Sequence, residues 1–70
     1  MKLIDRQYNR FSDRNTDTFL ANKVEDIPAN INEQYPYSCA GSMIIVIESG
    51  AVYIKNTEAK WQKFGTTEVL

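Results

Sequence analysis

Three short β-rich runs separated by tight polar gaps, all within residues 41–64, constrain this chain more than anything else in it. The first follows Gly41-Ser42 and is almost wholly apolar, Met43-Ile44-Ile45-Val46-Ile47. Glu48-Ser49-Gly50 separates it from Ala51-Val52-Tyr53-Ile54-Lys55-Asn56, and Thr57-Glu58-Ala59 separates that from Lys60-Trp61-Gln62-Lys63-Phe64. β-Branched and aromatic runs of this length, broken by turn residues, predict two successive hairpins. The expected fold is mainly β: a small three-stranded antiparallel meander over about 42–64, with an extended or partly helical N-terminal arm. Residues 1–40 read as arm and loop, 41–65 as the β-meander and 66–70 as a tail.

The three strands differ in kind. The first is apolar on both faces and is expected to be covered on both sides. The second alternates, with Val52 and Ile54 on one face and Tyr53 and Lys55 on the other. The third sets Trp61 and Lys63 against Gln62 and Phe64. Three strands carrying such side chains are too thin to cover themselves. Cover must come from the N-terminal half folding back, from a neighbouring copy, or from both.

Size sharpens that demand. A chain of 70 residues buries only roughly 60% of its unfolded surface, so domains of this length usually need a staple or a partner. Cys39 is the one cysteine and there is no histidine, which excludes an intrachain disulfide and leaves no credible zinc ligand set. Leu, Ile, Val and Phe number 17 of 70, too few to make the core self-sufficient. Association with copies of itself or with a larger assembly is the expectation. Cys39 reads as a small reduced packing thiol, since no imidazole is present to activate it.

A net charge of −1 lacks the basic footprint of a nucleic-acid binder. The charge is nevertheless uneven. Residues 1–14 hold Lys2, Arg6, Arg10 and Arg14 against Asp5 and Asp13, whereas 15–35 hold Asp17, Glu25, Asp26 and Glu33 against Lys23. That asymmetry suits head-to-tail contact or docking on an acidic surface, and suits an ordinary solvated surface as well. No stretch is apolar over the length a membrane span needs, and the N-terminus is too polar for a signal peptide.

Within 1–14, Ile4, Tyr8 and Phe11 fall at i, i+4 and i+7, giving an apolar stripe beside a basic one if the segment is helical. Asn9, Ser12 and Asp13 favour turns, and an extended arm fits equally well. Residues 14–17 read as a turn and 18–24 as a short strand ended by Pro28. Residues 28–38 read as a loop, with room for one helical turn over 29–33 behind Pro28. Tyr35 and Tyr37 flank Pro36 as a packing lid.

Nothing in the chain declares chemistry. Glu25-Asp26 are adjacent and point apart in an extended chain. Gly41, Gly50 and Gly65 stand alone rather than forming a phosphate loop, and no calcium loop is present. Tyr53, Lys55, Lys60, Trp61 and Lys63 could stack on single-stranded nucleic acid, but cross-strand packing with lysines guarding an edge explains them better. A non-enzymatic protein with no cofactor and no metal is expected.

The stretch from Gly41-Ser42 through Val52-Tyr53-Ile54-Lys55-Asn56 to Trp61 resembles short virion-associated proteins and fibre or tail modules of tailed bacteriophages. It covers about a third of the chain, with Ala51 where that pattern usually carries a charged residue. The resemblance implies a structural component of a virion, a small accessory protein attached to capsid, neck or tail and made in the bacterial host cytoplasm. Its implied partners are itself, with a trimer favoured, and a major capsid, portal-neck or tail protein, with neither nucleic acid nor membrane. Ile44, Ile45, Val46, Ile47, Val52, Ile54, Trp61 and Phe64 would then be core and inter-subunit residues. Lys2, Ile4, Arg6, Tyr8, Arg10, Phe11 and Arg14 would anchor the arm. An alternative role is a phage-encoded adaptor or inhibitor that binds a host protein by β-strand addition.

Overall fold

The computed structural model describes all 70 residues. They form one five-stranded mixed sheet in the order β1-β2-β3-β4-β5. β1 (Lys2–Asn9) and β2 (Arg14–Ala21) make an antiparallel hairpin. β3 (Met43–Val46), β4 (Val52–Lys55) and β5 (Trp61–Lys63) make the antiparallel meander. The two halves are joined by parallel pairing of β2 with β3, Phe19 opposite Ile44 and Ala21 opposite Val46.

The meander forms where expected and for the expected reasons. Gly50 occupies the first turn at φ +72°, a conformation glycine adopts without a steric penalty. The second turn is closed by Asn56, whose Oδ1 accepts from the backbone N–H groups of Glu58 and Lys60. Beyond β5 the chain continues the edge, with Val69 bridging Gln62 and the Leu70 amide donating to the Trp61 carbonyl.

The first half takes the extended of its two expected forms and not the helical one, and it is paired within the chain: β1 is an edge strand joined along its length to β2. The reverse turn lies over 10–13 instead of 14–17, because Asn9 Oδ1 accepts the Phe11 amide and Asp13 takes the left-handed φ of +54°. β2 accordingly starts at Arg14, four residues before the expected strand. The three-stranded sheet thus becomes five-stranded. The 28–38 loop does contain its single helical turn, α1 (Ile31–Gln34), preceded by a 3-10 turn over Val24–Asp26.

Parallel neighbours need a crossover, and residues 22–42 supply it across one face of the sheet. Ile31 from this crossover packs with Phe19, Ala21, Ile44, Val46 and Trp61 to form the core. Ile27 and Tyr35 seal its margin, the Tyr35 ring lying edge-on to Phe19 at 4.7 Å between centroids. The Trp61 Nε1–H donates to Asn32 Oδ1 at 2.9 Å, and Asn32 donates in turn to the Ala59 carbonyl. The crossover is thereby pinned to β5. Within the chain this covers one side of β3 only, its burial alternating along the strand, so the N-terminal half supplies half of the expected cover.

Candidate functional site

The two faces of the sheet have opposite characters, and the sequence positions of their residues explain why. On β2, Asp17, Phe19 and Ala21 point beneath the crossover, while Thr16, Thr18 and Leu20 point away. On β3, Ile44 and Val46 point inward, and Met43 and Ile45 outward. The inner face also carries the chain's buried charges. Asp17 is fully buried, with its carboxylate taking Arg6 Nε at 2.8 Å and Arg6 Nη2 at 3.1 Å. The Ser38 hydroxyl donates to the same carboxylate, and the Asp17 backbone N–H donates to Ser42 Oγ. Lys55 is buried beside this cluster, its Nζ donating to the Ser38 carbonyl at 2.8 Å and standing 5.8 Å from the Trp61 ring centre.

Burial pushes the Asp17 carboxyl upward, but the hydrogen bonds from Arg6 and Ser38 and the positive charges of Arg6 and Lys55 outweigh it. The net effect holds Asp17 below the usual carboxylate range. Lys55 moves down, chiefly through burial, with Arg14 adding to the effect and Cys39 and Asp17 opposing it. Every group in this cluster is consumed by another or by backbone, and none of its polar side-chain atoms is left unpartnered. Its consequence is structural: it ties β1, β2, β4 and the crossover together.

The outer face is the candidate site. Pairing register sets Lys2, Leu20, Ile45 and Val52 in one row across the sheet, continued by Phe64, whose amide donates to the Val52 carbonyl. The next row is Asp5, Thr18, Met43, Ile54 and Gln62. Leu20, Met43, Ile45, Val52 and Ile54 sit on interior strands yet stay partly exposed, and none packs against the core. Ile47 and Phe64 at the margin are 55% and 72% exposed. No segment crosses this face, because residues 22–42 lie on the other.

The sequence-derived packing residues therefore divide. Ile44, Val46 and Trp61 lie in the core, whereas Ile45, Ile47, Val52, Ile54 and Phe64 lie on or beside the outer face. The arm residues also divide. Arg6 is spent on Asp17; Lys2 and Ile4 lie on the β1 edge; Tyr8, Arg10, Phe11 and Arg14 gather at the far end of the hairpin. There Phe11 is 93% exposed, with the Arg10 guanidinium 5.8 Å from its ring centre. Tyr8 donates to Asp13 at 2.5 Å, which raises the phenol above its ordinary value, and Arg14 donates to the Pro36 carbonyl. A groove of about 500 Å³ runs beside the crossover, between Ile27, Pro28, Ile31, Lys60 and Trp61.

Sequence reasoning missed Asp17, Ser38 and Lys55. The alternation Asp17, Phe19, Ala21 against Thr16, Thr18, Leu20 was the available signal, masked by reading 14–17 as a turn. In comparisons with known protein families, curated proteins and solved structures, nothing matches this chain.

Proposed function

We propose that this chain is a non-enzymatic structural component of a tailed-phage virion, a small accessory protein attached to capsid, neck or tail. It associates through the outer face of its meander. The observation that carries this reading is the one-sided sheet, with a core on one face and a bare apolar surface on the other. Small soluble proteins rarely leave such a surface uncovered unless a partner occupies it. The buried charges support a structural role, since they bind one another in place of a ligand. The stretch from Gly41 to Trp61, which resembles virion modules, supplies the phage assignment.

Mass spectrometry of purified particles from the encoding phage tests this. The chain is expected in particles at a fixed copy number, and its absence from them would refute the virion role.

One observation favours the second reading, an adaptor acting by strand addition. β1 stands at the sheet edge with its outer side unpaired. The same strand is bulged between Leu3 and Asp5 and charged at Lys2, Asp5 and Arg6, the features by which edges resist added strands. A stable one-to-one complex with a host protein, lost on a proline substitution in β1, would establish the adaptor instead.

A further inference from the structure

We infer that the outer face is a two-fold interface between two copies of this chain, packed sheet against sheet. This rests on the reading of the chain as an assembly subunit and specifies its first contact.

Area is the first argument. Five strands about 4.8 Å apart span about 24 Å; at about 3.3 Å per residue β1 and β2 run for about 26 Å and β3 to β5 for about 10–13 Å, giving roughly 430 Å² per copy. Two copies together bury about 860 Å², the size of a weak, reversible association in the micromolar range and not of a permanent one. A smaller partner segment would leave much of the patch wet.

Charge is the second. The outer face carries Lys2 and Asp5 at its β1 rim, one at the end of each row, and neither forms an ion pair within the chain. A two-fold axis running across the strands, midway between the rows, exchanges the rows. Lys2 then stands opposite Asp5 of the second copy, and Asp5 opposite the second Lys2. Leu20, Ile45 and Val52 meet Thr18, Met43 and Ile54. An axis along the strands would place the charged rim over the neutral rim of Gln62 and Phe64, so charge selects the first arrangement.

Side-chain reach is the third. Sheets in a sandwich lie about 10 Å apart, so each face fills about 5 Å. Three faces about 24 Å wide, closed into a prism, would set each sheet about 7 Å from the axis. Ile45, Val52, Met43 and Ile54 at the centre of the face match the shorter distance. Two copies close the surface where three leave a void.

Sedimentation equilibrium of the full chain across the micromolar range provides the test, with circular dichroism to verify folding. The wild-type chain should be a dimer, and Ile45→Glu should be a folded monomer. Lys2→Glu and Asp5→Lys, both at exposed positions, should each weaken the dimer about fivefold, and the double reversal should restore it. These rim variants decide the matter even if Ile45→Glu fails to fold. A monomeric or trimeric wild-type chain, or a double reversal no tighter than the single variants, overturns the two-fold interface. Particle mass spectrometry is independent: a monomer found in virions refutes this interface alone, and a dimer absent from virions refutes the virion role alone.

Discussion

Asp17 is the residue on which most of the tertiary structure converges. Its carboxylate receives a forked pair of bonds from Arg6 on β1 and one from Ser38 in the crossover, while its amide engages Ser42. Removing one partner of a buried pair leaves the other charge uncompensated. Asp17→Ala should therefore cost about 3 kcal/mol in urea unfolding, toward the low end because Arg6 is about half exposed. The folded carboxyl lies below its ordinary value, so its stabilisation is complete above about pH 4, the unfolded range, and fades as pH falls through the folded value. Thermal melts between neutral and acid pH should show this loss, and Asp17→Asn should flatten it. Trp61 is the second such residue. Trp61→Ala should lose about 3–5 kcal/mol, whereas Trp61→Phe, which keeps most of the packing and gives up the bond to Asn32, should lose about 1 kcal/mol more than an ideal apolar swap.

Among the elements, the turns separate what local sequence dictates from what it does not. Gly50 sits where a left-handed residue is needed, but Ala59 holds φ +63° with a side chain that disfavours it. Ala59→Gly should relieve that strain, offset partly by greater freedom of the unfolded chain, for a net gain of about 0.5 kcal/mol and a Tm rise of about 2–4 °C. The meander strands and the helical turn behind Pro28 were readable because each is specified by neighbours in sequence. β1 was not, since its two faces are both largely exposed and polar, leaving no period-2 signal. The coincidence of Ile4, Tyr8 and Phe11 supplied a helical period in its place. The parallel pairing of Phe19 with Ile44 was equally hidden, because no local pattern distinguishes parallel from antiparallel neighbours.

At the scale of the whole molecule, the core draws on three stretches of chain: Phe19 and Ala21, Ile31, and the meander residues Ile44, Val46 and Trp61. Residues 41–70 made alone should thus remain unfolded by circular dichroism, despite containing three of the five strands. A cooperative melt from that fragment would contradict the account given for the core. The sequence made the need for cover legible, through apolar residues on both sides of β3, but not which side the N-terminal half would take. That choice follows from Asp17, Phe19 and Ala21 sharing one side of β2. The parallel seam also makes the two halves of the molecule depend on one another. Phe19 and Ala21 from one half and Ile44, Val46 and Trp61 from the other complete a single core, so neither half holds its shape before the seam is closed. Residues 22–42 span that closure at an entropic cost that grows only slowly with loop length. A backbone cut within this segment should therefore undo both hairpins together, not release two intact pieces.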